Sequence, residues 1–156
     1  MPNDPHPAFP DLHAFWDAYK ELDAAYALLA KSCGLSEPEY WSLMLIRDGV
    51  ETQREISQRL SLNRQTLNSA FKLLVGKGLV RLEPLERDQR SKRASLTEAG
   101  ERLLAGPLAR AEAAEAAAWL SLSEADRGTL VGLTRQFTAA LLGALEQSNA
   151  GSSEDL

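Results

Sequence analysis

The sequence predicts a mainly α-helical chain that carries one short β-hairpin. Three observations lead there. Apolar residues recur at helical spacing over most of the chain, beginning with Leu12, Phe15, Tyr19, Leu22, Tyr26 and Leu29 in a 3-4-3-4-3 series. Helix start and stop residues punctuate the first hundred positions at short intervals. Period-two alternation occurs at Val80-Arg81-Leu82-Glu83, with Ala94-Ser95-Leu96 as its return strand.

Residues 1–10, MPNDPHPAFP, contain four of the seven prolines and read as an irregular arm. The first helix carries the apolar stripe and stops at Gly34. Ser36 and Glu39 form a capping box for a second helix through Leu43, Met44 and Arg47, and Asp48-Gly49 is a turn signal. Thr52 and Glu55 form a second capping box, opening a short helix from Gln53 to Leu60. Ser61 to Asn63 breaks it. A further helix runs from Arg64 to about Val75, closed by Gly76 and Gly78. After the hairpin, Thr97 caps a long alanine-rich helix in which Pro107 should cause a kink or break. Ser123, with Glu124 and Asp126, starts a last helix with an apolar stripe of Leu130, Leu133, Phe137 and Leu141. The small polar residues 147–156, QSNAGSSEDL, read as a flexible tail.

Composition narrows the function. The chain of 156 residues suggests one domain with a sizeable core, and its 44% hydrophobic and 25% charged content is that of a soluble globular protein. No apolar run approaches the roughly 18 residues that span a bilayer, and no apolar signal segment opens the chain. No membrane partner and a cytoplasmic location are therefore expected. The single cysteine, Cys33, allows no intramolecular disulfide. The two histidines, His6 and His13, lie near the N-terminus, and no metal-ligand spacing, phosphate-binding glycine loop or nucleophile elbow occurs. This argues against an enzyme and against a metal or cofactor.

The charge is unevenly spread. The formal net charge is -5, yet Arg54 to Arg93 holds ten basic and four acidic residues, a net of +6. The densest run, RDQRSKR at 87–93, sits between the two expected strands. On the helix from Arg64, Leu67, Ala70, Phe71 and Leu74 share one face at about 100° per residue. The other face offers Arg64, Gln65, Asn68, Ser69 and Lys72, with no acid. Arginine can fork to guanine, and glutamine or asparagine can pair with adenine. Helix, turn, helix, strand, basic tip, strand is the order of a winged helix-turn-helix with a two-stranded wing. Its second helix would enter a major groove, and the basic tip would reach flanking phosphates or a minor groove.

The runs TQREISQRLSLNRQTLNSAFKLLVGKGLV and RDQRSKRASLTEAG resemble the MarR family of bacterial transcriptional regulators. The family's Asp-x-Arg wing motif is matched by Asp88 and Arg90. Its Leu-Thr-x-x-Gly helix opening is matched by Leu96, Thr97 and Gly100. The chain departs from the family at Leu73, Val75 and Gly76, where charged residues are frequent, and at Ser69, where arginine is frequent.

The resemblance implies a homodimeric repressor that binds pseudo-palindromic double-stranded DNA. Residues 11–50 and 97–146 would form a helical dimerisation region, using Leu12, Phe15, Tyr19, Leu22, Leu130, Leu133, Phe137 and Leu141. Residues 51–96 would form the DNA-binding region. Arg64, Gln65, Asn68 and Ser69 would face bases. Asn63, Thr66, Lys72 and Arg54 would contact phosphates, and Arg87, Arg90, Lys92 and Arg93 would lie on the wing, with Asp88 bracing an arginine. A small lipophilic or phenolic effector would meet His13, Trp16, Tyr19, Trp41 and Arg47, unless these aromatics are core and Arg47 an ion-pair partner. Cys33 as an oxidant sensor is disfavoured, because a helix C-terminus opposes thiolate formation. The rival reading is a winged-helix protein-interaction module whose basic face meets an acidic partner.

Overall fold

The computed structural model describes residues 10–85 and 88–151, without the side chains of residues 10, 85, 88–91 and 149–151. The arm at 1–9, residues 86–87 and the end of the tail at 152–156 lie outside the described residues. The elements run α1 (Pro10–Ser32), α2 (Glu37–Arg47), α3 (Gln53–Leu60), α4 (Arg64–Gly76), β1 (Val80–Leu85), β2 (Asp88–Leu96), α5 (Glu98–Leu103), a π-helical turn (Leu104–Leu108), α6 (Ala109–Leu120) and α7 (Glu124–Gly151). The chain divides into two compact units after Glu112.

Cap chemistry sets most boundaries in the first unit. Pro10 opens α1 rather than closing the arm, as its fixed φ and missing N–H allow in a first turn. Gly34, at φ +75°, turns the chain out of α1. Glu39 accepts from both the N–H and the hydroxyl of Ser36, each at 2.8 Å, at the start of α2. Thr52 accepts from the Glu55 N–H at 3.2 Å, and Asn63 accepts from the Thr66 N–H at 2.8 Å, satisfying donors that open α3 and α4. Between them Ser61 takes a left-handed conformation at φ 52°, which gives the tight turn of the helix pair. Thr97 caps α5 through the Gly100 N–H and also donates to the Gly78 carbonyl at 2.6 Å. Gly100 has no room for a side chain, since a Cβ there would overlap the Leu79 carbonyl oxygen.

One cluster forms the core of this unit. Tyr40, Leu43 and Ile46 of α2 join Ile56 of α3, Leu67, Phe71 and Leu74 of α4, Val80 and Ala94 of the hairpin, and Leu108 and Ala111. α2 thus supplies core to the helix-turn-helix itself. Glu39 lies in this interior at 2% exposure, with Lys77 Nζ at 2.7 Å. Lys77 follows the last turn of α4 and also donates to the Gly34 carbonyl at 3.0 Å, so one ammonium joins the ends of α1 and α4 to α2. Burial pushes the Glu39 carboxyl up, but the Lys77 ammonium and the two Ser36 donors together hold it below its ordinary value.

Two expectations need correction and a third is sharpened. β1 and β2 pair antiparallel over Val80↔Leu96 to Pro84↔Lys92, with a register shift before Leu85↔Asp88. Both strands are longer than expected, so Lys92 and Arg93 are strand residues rather than loop residues. The apolar alternation that marks a strand requires one buried face, and Glu83, Pro84, Lys92 and Arg93 are all exposed. At Pro107, the expected site of a kink or break, the α winding gives way to a π turn and then continues as α6. In the second unit, α7 extends through residues 147–151, which their polarity had placed in the tail. Helical hydrogen bonds propagate there one residue at a time without needing an apolar face.

Candidate nucleic-acid interface

The face opposite the α4 core stripe is exposed and carries Arg64, Gln65, Asn68, Ser69 and Lys72 together. Clefts flank it on both sides. One, of about 460 Å³, is lined by Thr52, Gln53 and Arg54 of the α3 start, Arg64 and Asn68 of α4, and Lys92 of β2, among others. A wider one of about 790 Å³ runs between α4 and the hairpin and shares Gln53, Arg64, Asn68 and Lys92 with the first. A third, on the other flank, brings Gln65, Thr66 and Ser69 opposite Ser36 and Pro38 before and within α2. Among the described residues, no acidic residue lines any of the three.

Electrostatics separates these cations from others in the same unit. Arg47 is held by Glu112 at 2.7 Å and Asp48 at 3.0 Å, Arg81 by Glu83 at 3.2 Å, and Lys77 by Glu39. Arg54, Arg64, Lys72 and Lys92 have no ionic or hydrogen-bonding partner among the described residues. The side chains of Gln65 and Asn68 are equally uncommitted. Ser69 is different: its hydroxyl donates to the Gln65 carbonyl at 3.0 Å, leaving it an acceptor toward any ligand. Asn63 has spent its side-chain oxygen on the α4 cap, so only its amide N–H₂ can reach outward. Thr66 is half-buried.

On the hairpin, Lys92 faces the α4 clefts, whereas Arg93 is bound to Glu51 at 2.7 Å. Arg87 lies outside the described residues. Asp88 and Arg90 fall in β2 by backbone, but their side chains, and so the expected brace between them, lie outside the described residues as well. Sequence reasoning misses Gln53, Ser57 and Gln58, which line the smaller cleft beside Arg54. A signal is present in Gln53, the first residue of a capped helix next to an arginine, but in sequence alone it marks only a helix.

The five residues assigned to an effector pocket are not gathered by any of these clefts. His13, Trp16 and Tyr19 are exposed on α1. Trp41 packs against the core, with Tyr26 and Tyr40 rings at 5.5 and 5.0 Å. Arg47 is engaged with Glu112, whose hydrogen bond, with that of Asp48, holds the guanidinium above its ordinary range despite partial burial. Cys33 is a buried free thiol.

The residues assigned to dimerisation share one property. Phe15, Tyr19, Leu22, Leu130, Leu133, Phe137 and Leu141 are each 44–60% exposed, and Leu12 is half-exposed. The α1 stripe divides along its length: Leu12 to Leu22 face outward, while Leu29 packs on the core.

Comparison with known proteins agrees with this layout. Residues 34–91 match the model of the MarR family. No protein with a curated description matches the chain. The PcaV transcriptional regulator from Streptomyces coelicolor, solved with its natural ligand, is 22% identical with a TM-score of 0.64, over 90% of this chain and 99% of that one. The transcriptional regulator MOSR of M. tuberculosis, solved with DNA, is 24% identical with a TM-score of 0.60, over 83% and 96%. The S. aureus MepR–DNA complex gives 19% identity and a TM-score of 0.68, over 80% and 97%. At these identities the likeness is one of fold: a mainly helical winged helix-turn-helix.

Proposed function

We propose that this chain, with a MarR-family segment at residues 34–91 and the fold of solved MarR regulators and of regulators solved with DNA, is a homodimeric, sequence-specific double-stranded DNA-binding repressor. One observation carries the reading. Among the described residues, the exposed face of α4 and its flanking clefts hold Arg54, Arg64, Lys72 and Lys92 without counter-ions and Gln65 and Asn68 without partners, and no acid intervenes. Four unneutralised cations around two free carboxamides suit a ligand with regularly spaced anions and base edges. On this reading Arg64, Gln65, Asn68 and Ser69 meet bases, while Arg54, Asn63, Thr66, Lys72 and Lys92 meet phosphates.

The exposed apolar residues of α1 and α7 support the homodimer. A second copy of the same chain would cover them, and its α4 would read a second half-site about 34–36 Å away. The protein then works in the cytoplasm; no described helix is long and apolar enough to cross a membrane. Release by a small lipophilic or phenolic ligand belongs to the proposal through the likeness to ligand-bound PcaV. Its contacts would come from His13, Trp16 and Tyr19, which are exposed on α1, with Trp41 packed on the core and Arg47 paired with Glu112.

Selection from a randomised duplex library of about 20 base pairs, followed by fluorescence anisotropy, tests the reading. The selected duplex should bind about 10³-fold or more tighter than a scrambled one at physiological salt. Equal affinity for both would leave only a basic surface and favour an acidic protein partner.

A further inference from the structure

We infer that Arg93 is a positioning residue for the wing, acting through Glu51, and not a DNA contact. The inference rests on the DNA-binding reading and divides its basic run in two. Strand alternation comes first. Side chains of successive strand residues point to opposite faces. Lys92 lines both clefts beside α4. Ala94, two residues on, is buried in the core, and its pairing partner Leu82 lines the wider cleft. Lys92, Ala94 and Leu82 thus mark the face turned toward α4. Arg93 belongs to the other face, opposite Glu83 in the register.

The second observation is what holds it there. Arg93 Nη2 lies 2.7 Å from Glu51 Oε1. The backbone reinforces the same junction: the Ala94 N–H donates to the Glu51 carbonyl at 2.7 Å, and Thr52 forms an isolated antiparallel bridge with Arg93. Glu51 and Thr52 are the two residues that lead into α3. The contact therefore ties the base of the wing to the N-terminus of the helix that carries Gln53 and Arg54. It sets where Lys92 stands relative to Arg54 and Arg64 across the smaller cleft.

The two roles separate by sign. A phosphate contact contributes to the salt dependence of binding, about one unit of slope each. A positioning residue does not. Nor should removing an acid near a polyanion weaken binding, unless that acid holds something in place.

The test measures the affinity of the full-length chain for its selected 20-base-pair duplex as a function of NaCl concentration. Lys92→Gln should flatten the salt slope by about one unit per protomer. Arg93→Gln and Glu51→Gln should each weaken binding about two- to five-fold, the range of a half-exposed ion pair, with the wild-type slope. The charge-swapped pair Glu51→Arg/Arg93→Glu should recover most of that loss, which a glutamate could not do at a phosphate contact. The near-isosteric Glu51→Gln keeps the test informative if Arg93→Gln does not fold. A flattened slope in Arg93→Gln, or tighter binding by Glu51→Gln, overturns the inference. A wild type that binds no duplex defeats the DNA-binding reading instead, which is a separate result.

Discussion

The chain has exposed surfaces of two kinds that lack something, and they lack different things. Around α4, Arg54, Arg64, Lys72 and Lys92 lack counter-charge among the described residues. Along α1 and α7, Tyr19, Leu22, Leu130, Leu133 and Leu141 lack apolar cover. A surface short of anions attracts a polyanion, and salt weakens the attraction by competing for it. A surface short of apolar cover attracts another apolar surface, and salt leaves that attraction intact or strengthens it. The chemistry of each deficit thus names its partner, and salt should pull the two associations apart.

The largest expected effect is on the apolar stripe of α7. Leu133→Asp would bury an unpaired carboxylate in the proposed dimer, costing about 3–5 kcal/mol and more than 100-fold in self-association. Multi-angle light scattering should report a monomer, and affinity for a two-half-site duplex should collapse with it. A Leu133→Asp dimer would mean that this face is covered in some other way.

Next comes the polar face. Arg64→Ala should cost about 1–3 kcal/mol of discrimination between selected and scrambled duplexes, or roughly 5- to 150-fold. The dimer should stay intact by light scattering. A uniform loss on both duplexes would make Arg64 a phosphate contact and move base reading to Gln65 and Asn68.

Smaller effects are expected at the link between Glu39 and Lys77. Lys77→Met leaves the Glu39 carboxylate buried without its ammonium, and because Lys77 itself is partly exposed the cost should be about 1–3 kcal/mol. The melting temperature should fall by several degrees. The pH dependence has a definite sign. Glu39 is held below its unfolded-state pKa, so its contribution is present above about pH 4.3 and is lost as pH falls through its lower folded value. Glu39→Gln should therefore show a flatter melting temperature below pH 5 than the wild type. A parallel acid limb in the two proteins would assign the acid sensitivity to other carboxylates.

The smallest effect tests the finest distinction. Ser69→Ala removes a hydroxyl whose hydrogen is already committed to Gln65 and should change affinity by less than about threefold. A larger loss would show that the hydroxyl turns outward when DNA is present.

Much of this architecture is legible in the sequence. Ser36, Thr52, Asn63 and Thr97 all open helices where their side chains say they should, because capping is settled within three or four residues of sequence. The recognition face is legible because helical periodicity is equally local. The pairs Glu51–Arg93 and Glu39–Lys77 are not, since partners about forty residues apart leave no periodic trace. Arg93 illustrates the cost of that blindness. In the run RDQRSKR it looks equivalent to Lys92; only the strand places them on opposite faces and gives one a carboxylate. The placement of Trp41 and Arg47 needs the fold for the same reason.

The π turn at Leu104–Leu108 has a consequence of its own. It works like a frameshift inside a helix, one residue more than the regular winding can hold. The looser ladder accommodates Pro107, which has no N–H to give. It also sets the phase of α6. Leu108 and Ala111 are buried because the chain arrives at them one step late. Deleting Ala105 would restore the ordinary winding with Leu108 and Ala111 still turned inward, whereas unbroken α winding of the full sequence would turn every later side chain of that helix by about 100°. The reading frame of the core is kept, at this point, by a turn that absorbs a single surplus residue.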